Sequence, residues 1–215
     1  MVYPEILLNK YIIILTKLIK KVIFIVLNIP NVLTIIRIIG SICLPFLLLV
    51  DANEAGCFFA LLIFVFCSLT DFLDGYLARK LNLQTDLGKM LDPIADKLLV
   101  ILVLSFLVLV YGDAYNYLLG VPSILIIARE IIVSGIREFF GSTKGSFAVT
   151  KLSKFKTGVQ MIAIICLLLA MLRFFEDFYF FQIGVLCLWM AAMFALYTGL
   201  VYVRMAIYLL SKGKK

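Results

Sequence analysis

Long apolar runs fill most of this chain and constrain its fold more than any other feature. A helix needs about 20 mostly apolar residues to cross a bilayer, and the sequence offers roughly six such runs. They lie near residues 32–50, 56–79, 90–112, 117–139, 154–173 and 178–208. Their continuity favours helices over the alternating strands of a membrane barrel. With 64% hydrophobic content in 215 residues, the chain has more apolar surface than a soluble core of that size buries. We predict an all-α integral membrane protein with about six transmembrane helices.

The basic residues are concentrated at alternate ends of these runs. They are Lys10, Lys17, Lys20 and Lys21 before the first run, Arg79, Lys80 and Lys89 after the second, Arg137, Lys144, Lys151, Lys154 and Lys156 after the fourth, and Lys212, Lys214 and Lys215 at the end of the chain. Lysine and arginine favour the cytoplasmic side of a membrane. The pattern predicts that both termini are cytoplasmic. The net charge of +7 then indicates orientation and contact with anionic lipid rather than nucleic-acid binding.

The first 28 residues have a different pattern from the rest of the chain. On a helix, Lys10, Lys17 and Lys21 share a narrow sector and apolar residues occupy the remainder. This arrangement is typical of an amphipathic helix that lies on an anionic leaflet. We predict an interfacial helix over residues 1–28, followed by one membrane domain over residues 29–215.

Four aspartates interrupt the second and third apolar runs. A charged residue inside a span costs about 2.5–3.5 kcal/mol on insertion scales, so such a cluster requires a reason. Asp71 and Asp74 are three residues apart and Asp92 and Asp96 are four apart, so each pair shares one face of a helix. Two helices joined by a turn around residues 82–86 could direct all four carboxylates to one point.

A divalent metal is the simplest way to offset four converging negative charges. The chain has no histidine, and no cysteine lies within the stretch from Asp71 to Asp96. An all-oxygen ligand set favours hard ions such as magnesium, manganese or calcium over zinc. Four carboxylates suffice for two metals, the arrangement that clamps a phosphoryl group during an in-line displacement.

The acidic residues belong to a longer pattern, D-x2-D-G-x2-A-R-x8-G-x3-D-x3-D. Its fixed positions are Asp71, Asp74, Gly75, Ala78, Arg79, Gly88, Asp92 and Asp96. This pattern resembles the signature of the CDP-alcohol phosphatidyltransferases. Further segments resemble the branch of that family that uses glycerol 3-phosphate: Asn31 to Arg37 with Pro45, Leu91 to Lys97, Ala128-Arg129-Glu130 with Arg137, and Lys154 to Gln160. The resemblance covers about residues 29–165.

The resemblance implies an enzyme of phospholipid biosynthesis. Such enzymes transfer a phosphatidyl group from CDP-diacylglycerol to an alcohol and release CMP. Carried over to this chain, two magnesium or manganese ions would be held by Asp71, Asp74, Asp92 and Asp96, with Asp96 also the general base. CDP-diacylglycerol would bind near Thr34, Gly75, Ala78, Arg79 and Gly88. The resemblance also implies a homodimer in a bacterial inner membrane, with the active site facing the cytoplasm.

The acceptor, glycerol 3-phosphate, is an anion and needs fixed positive charge near the aspartates. Arg129 lies inside the fourth run, where burial of its charge argues for a partner. From the residues alone, a pair with Glu130 and a substrate role are equal alternatives. The resemblance favours substrate phosphate, bound by Arg129 and Lys154, with Arg137 and Lys156 as secondary candidates.

Three alternatives remain open from the sequence. A sister enzyme would use serine, inositol phosphate or, for cardiolipin, phosphatidylglycerol as the alcohol. A divalent-cation transporter would also place acids in its spans, but it predicts inverted repeats that the sequence does not show. An inactive homologue could act as a scaffold, although the four intact aspartates argue against it.

Overall fold

A computed structural model describes residues 29–50, 54–80, 85–140, 151–172 and 178–212. Within these ranges the regular structure is entirely helical. The helices are α1 (Ile29–Val50), α2 (Glu54–Lys80), α3 (Asp86–Phe139), α4 (Lys151–Leu169) and α5 (Phe178–Lys212). The predicted interfacial helix over residues 1–28 lies outside the described ranges.

Six apolar helical segments account for these helices. Four are long and apolar enough to cross a membrane: Asn31–Leu49, Met90–Tyr111, Tyr117–Phe139 and Tyr179–Ser211. The two shorter apolar helices are Ala55–Asp71 and Phe155–Leu169. Large apolar side chains such as Phe46, Leu109 and Ile124 are mostly exposed, which suits a surface that faces lipid. The structure confirms the prediction of an all-α integral membrane protein.

Helix α3 is a helical hairpin, although its 54 residues are assigned as one helix. Tyr115 has non-helical backbone angles, with φ −133° and ψ 26°. Lys97 Nζ donates a hydrogen bond to Ser134 Oγ, and these residues are 37 positions apart. A straight helix would separate them by about 55 Å. The chain therefore reverses near Tyr115, in the gap between the predicted apolar runs 90–112 and 117–139. We call residues 86–114 the first arm and residues 116–139 the second arm.

The packing of the helices brings α1 and α5 against α3. Helix α1 packs against α2 and α3, α4 packs against α5, and α3 also contacts α5. Small and branched apolar residues fill the core between them, including Ala60, Ala163 and Ala191. Small residues let membrane helices approach closely. As a result α1 reaches the acidic ends of α2 and the first arm, while α5 reaches the second arm.

The start of α3 is fixed by a cap and by a close contact with α1. Thr85 is the N-cap residue, and its Oγ1 accepts a hydrogen bond from Gly88 N at 3.0 Å. The same hydroxyl donates to Asn31 Oδ1 at 2.8 Å. A Cβ at Gly88 would lie 2.8 Å from Asn31 Oδ1, closer than real Cβ contacts. Gly88 therefore allows the side chain of Asn31 to reach the N-terminus of α3.

Candidate active site

Arg37 pairs with one carboxylate from each of two neighbouring helices. Its Nη1 atom lies 3.0 Å from Asp71 Oδ1 on α2 and 3.0 Å from Asp96 Oδ1 on the first arm of α3. The Arg37 side chain is 0% exposed, whereas the side chains of Asp71 and Asp96 are 49% and 48% exposed. The structure thus joins these two aspartates through a buried cation and leaves both carboxylates accessible to a ligand.

Asp92, which lies one turn before Asp96 on the first arm of α3, also contacts α1. Thr34 Oγ1 donates a hydrogen bond to Asp92 Oδ1 at 2.8 Å, and Thr34 is buried. Thr34 and Arg37 are three residues apart, so they lie on the same face of α1. One face of α1 therefore supplies a partner to Asp92, to Asp96 and to Asp71, the three aspartates whose side chains are described.

The remaining residues of the acidic motif lie partly outside the description. The backbones of Asp74, Gly75, Ala78 and Arg79 belong to α2, but the positions of their side chains are outside the described part of the structure. Gly88 is described, and it is buried against Asn31 and Thr85. Its small size serves a contact between α1 and α3. Its predicted contact with CDP-diacylglycerol stays a prediction.

Two buried cations, Arg129 and Lys156, share the carboxylate of Glu130, and we call these three residues the basic site. Arg129 Nη1 lies 3.3 Å from Glu130 Oε1, and Lys156 Nζ forms an ion pair with the same oxygen. The Arg129 and Lys156 side chains are 8% and 1% exposed. The cluster of these three residues has two positive charges and one negative charge, which leaves one positive charge uncompensated within it. The expected pair with Glu130 exists, yet it does not neutralise the site.

The Nε donor of Arg129 is unsatisfied within the described part of the structure. Its Nε atom is shielded from solvent and has no hydrogen-bond partner among the described residues. A buried donor without a partner costs stability unless a ligand or water accepts from it. Arginine binds phosphate through parallel N–H groups of its planar fork. Arg129 therefore combines a free donor with the excess positive charge of its cluster.

The structure gives less detail for Arg137 and Lys154, the other residues predicted to bind the acceptor. Arg137 is exposed in the last turn of α3, two turns beyond Arg129. Lys154 belongs to the first turn of α4, and its side chain is outside the described part of the structure. The structure thus brings Arg129 and Lys156 together and leaves Arg137 at the surface.

The second arm of α3 connects the acidic and basic sites. The hydrogen bond between Lys97 and Ser134 joins the residue after Asp96 to a residue one turn beyond Glu130. This contact joins the two arms of the hairpin, so Asp96 and the Arg129 cluster lie at the same end of the α3 arms.

Sequence reasoning missed the roles of Arg37, Thr198 and Glu130. Arg37 carried a signal, since a charge inside the first apolar run has the same cost as the aspartates. Glu130 was recognised only as a partner of Arg129, and its pair with Lys156 spans 26 positions. Thr198 accepts a hydrogen bond from Arg129 Nη2 at 3.2 Å. A single hydroxyl within the last apolar run lacks the cost of a buried charge, so nothing in the sequence distinguishes Thr198.

The donor chemistry of the acidic site fits a hard divalent cation. Asp71 and Asp96 present half-exposed carboxylates from facing helices, and such oxygens are the ligands that magnesium and manganese prefer. Among the described side chains, which exclude that of Asp74, no three acidic, cysteine or histidine residues form a cluster able to hold a metal. Arg37 provides positive charge at the same two carboxylates.

Together these features define a class: a multi-pass membrane protein with accessible carboxylates and buried cations at one end of its helices. The sequence model of the CDP-alcohol phosphatidyltransferase family matches residues 27–207. This chain belongs to the CDP-alcohol phosphatidyltransferase family. Members of this family generally use divalent metal ions.

Several curated relatives share one name, CDP-diacylglycerol–glycerol-3-phosphate 3-phosphatidyltransferase. The protein of Rickettsia bellii is 44% identical over 175 residues, which are 81% of this chain and 93% of the relative. The protein of Wigglesworthia glossinidia brevipalpis is 36% identical over 82% of this chain and 93% of its own length. The protein of Haemophilus influenzae is 34% identical over 83% and 93%. The similarity therefore extends through nearly the whole length of these relatives.

Proposed function

We propose that this protein transfers the phosphatidyl group of CDP-diacylglycerol to glycerol 3-phosphate, giving phosphatidylglycerophosphate and CMP. The observation that carries the proposal is the pairing of two sites within the α3 hairpin. The half-exposed carboxylate of Asp96 lies on its first arm, beside that of Asp71 on α2. On the second arm, Arg129 and Glu130 form a cluster with Lys156 of α4 that has a net positive charge. The names of the relatives support the same donor and acceptor.

Asp96 has the role of general base in this proposal. The acceptor hydroxyl oxygen attacks the phosphorus that bears the lipid, and a new oxygen–phosphorus bond forms. The bond from that phosphorus to the bridging oxygen of the diphosphate breaks, and CMP leaves with that oxygen. The hydroxyl proton passes to a carboxylate oxygen of Asp96, which suits a chain without histidine.

The proposed cofactors are two divalent cations, magnesium or manganese, held by Asp71, Asp74, Asp92 and Asp96. When bound, they would neutralise charge that develops on the diphosphate and make CMP a better leaving group. Thr34 orients Asp92, because its hydroxyl donates to one of the two carboxylate oxygens. Gly75, Ala78, Arg79 and Gly88 are proposed to lie along the cytidine end of the donor.

The acceptor phosphate is proposed to bind Arg129 and Lys156, with Lys154 and Arg137 as further ligands. Support comes from the uncompensated positive charge of the cluster and the free Nε donor of Arg129. The apolar segments and the basic loops support a bacterial inner-membrane location with cytoplasmic termini. The acidic site would then face the cytoplasm, where glycerol 3-phosphate is available in water.

The test is CMP release from CDP-diacylglycerol by the purified protein in detergent. Glycerol 3-phosphate, serine, inositol phosphate and phosphatidylglycerol are compared as acceptors, with magnesium or manganese present and with a chelator as the control. Release that requires glycerol 3-phosphate and a divalent cation supports the proposal. Release with another alcohol overturns the acceptor, and release that persists in the chelator overturns the cofactor.

A further inference from the structure

Helix α5 contacts Arg129 through three residues within one turn. Thr198 Oγ1 accepts a hydrogen bond from Arg129 Nη2 at 3.2 Å. The ring of Tyr202 has its centroid 5.9 Å from the guanidinium carbon. A Cβ built at Gly199 would lie 3.1 Å from Arg129 Cγ. Tyr202 is four residues from Thr198 and three from Gly199, so it neighbours both on the surface of α5.

The hydroxyl of Thr198 is oriented toward Arg129 by the backbone of its own helix. It donates to Phe194 O at 2.8 Å and approaches Ala195 O at 3.1 Å. A hydroxyl has one hydrogen and two lone pairs, so its hydrogen is used by α5 and a lone pair remains for the arginine. Serine could make the same pair of bonds, whereas valine could make neither.

Gly199 and Tyr202 restrict where the Arg129 side chain can lie. A contact of 3.1 Å is tighter than ordinary packing, so any side chain at position 199 would displace the aliphatic part of Arg129. The face of an aromatic ring attracts a guanidinium and is most effective where water is excluded. Both Tyr202 and Thr198 are buried. Helix α5 therefore contacts both the aliphatic part and the guanidinium group of Arg129.

These contacts occupy two of the three nitrogens of the guanidinium. Glu130 accepts from Nη1 and Thr198 accepts from Nη2. The Nε donor has no acceptor among the described residues and is shielded from solvent. The fork is thus held at both of its outer atoms, and only the inner donor lacks a partner among the described residues. Preorganisation of this kind lowers the cost of ordering a side chain when an anion binds.

We infer that Thr198, Gly199 and Tyr202 form a positioning site that fixes Arg129 for the phosphate of the acceptor. This inference rests on the proposed function and extends it to α5, whose sequence carries no phosphate-binding motif. The three residues do not touch the reacting atoms. They act through Arg129, so their loss should weaken binding of the acceptor and leave binding of CDP-diacylglycerol unchanged.

The test compares Thr198→Val with Thr198→Ser in the full-length protein purified in detergent. Thr198→Val should raise the KM for glycerol 3-phosphate about tenfold, the size expected when one hydrogen bond to a charged group is lost. The KM for CDP-diacylglycerol should not change, and Thr198→Ser should restore the acceptor KM. Equal increases of both KM values, or an unchanged acceptor KM in Thr198→Val, would overturn the inference.

A second pair of variants separates displacement of Arg129 from a general effect of helix substitution. Gly199→Ala should raise the acceptor KM, because the added methyl group displaces Arg129 Cγ. Gly135→Ala is the matched control on the second arm, where no described atom lies within 4 Å of an added Cβ. If both variants raise the acceptor KM equally, position 199 has no special role.

Acceptor binding is also measured without turnover, as the glycerol 3-phosphate concentration that half-saturates the rise in melting temperature. If the wild-type protein binds this compound but transfers nothing to it, the proposed function fails, while the Thr198 variants still test the positioning site. A half-saturating concentration that rises in Thr198→Val and recovers in Thr198→Ser supports the inference. A wild-type protein that binds neither glycerol 3-phosphate nor inorganic phosphate overturns it.

Discussion

The Nη1 atom of Arg37 lies 3.0 Å from Oδ1 of Asp96, so the proposed general base shares its carboxylate with a fully buried cation. The same nitrogen is 3.0 Å from Asp71 Oδ1. Three helices therefore meet at one guanidinium. Without that positive charge, two carboxylates on facing helices would repel each other.

Arg37→Gln should lower the stability of the folded protein. It removes two hydrogen bonds to charged groups, and the expected loss is roughly 2 kcal/mol because both aspartates remain half exposed. The measurement is the melting temperature in detergent at low salt. Arg204→Gln, at an exposed position on α5, is the control for loss of one arginine. Equal melting temperatures of the two variants would show that the Arg37 pairs contribute nothing.

Asp96→Asn should abolish transfer while leaving the protein folded. The amide cannot accept the proton of the acceptor hydroxyl, and a positioned base contributes about 100-fold to 10,000-fold to the rate. CMP release is measured together with gel filtration in detergent. Glu138→Gln makes the same chemical change at an exposed position of α3 and should retain activity. Transfer by Asp96→Asn at more than a tenth of the wild-type rate would remove Asp96 as the base.

Arg129→Ala should raise the KM for glycerol 3-phosphate far more than the KM for CDP-diacylglycerol. The expected increase is about 100-fold, the size of two to three kcal/mol of charge-assisted hydrogen bonding. Arg137→Ala should have a smaller effect, because Arg137 is exposed at the end of α3. If the donor KM rises instead, Arg129 belongs to the nucleotide site. Arg129→Lys retains the charge and tests the planar fork in a variant that changes packing less.

Gly88→Ala should weaken the junction between α1 and α3. The new methyl group would lie 2.8 Å from Asn31 Oδ1 and 3.3 Å from Thr85 Oγ1, and overpacking of this kind costs about 1–3 kcal/mol. A lower melting temperature is expected, with partial recovery in the double variant Asn31→Ala, Gly88→Ala. The control variant Gly135→Ala should not have a lower melting temperature than the wild-type protein. An unchanged melting temperature in Gly88→Ala would show that the junction between α1 and α3 accommodates the added methyl group.

The sequence predicted the fold because the membrane imposes strong local requirements. Length and apolarity locate the helices, and the gap between the runs 90–112 and 117–139 contains Tyr115, where the chain reverses. The boundaries agree to within a few residues for most segments. The packing of α1 between α2 and the first arm could not be derived, because helix neighbours depend on contacts between distant parts of the chain.

The candidate site was predictable where its residues are close in sequence. The spacing of Asp92 and Asp96 indicates a shared helical face without reference to any other helix. By contrast, Arg37 is 34 positions from Asp71 and 59 from Asp96, and Thr198 is 69 positions from Arg129. Nothing local in the sequence connects such residues, and only the packed structure shows which of them meet.

The reversal at Tyr115 has a consequence for how substrate choice can change over evolutionary time. The carboxylates lie on α2 and the first arm, whereas the proposed acceptor-binding cations lie on the second arm and α4, in contact with α5. Under the proposed function, substitutions around these cations can alter the choice of alcohol without moving the helical register of the aspartates. The proposed chemical step and the choice of acceptor thus depend on different helical segments that a single hairpin connects.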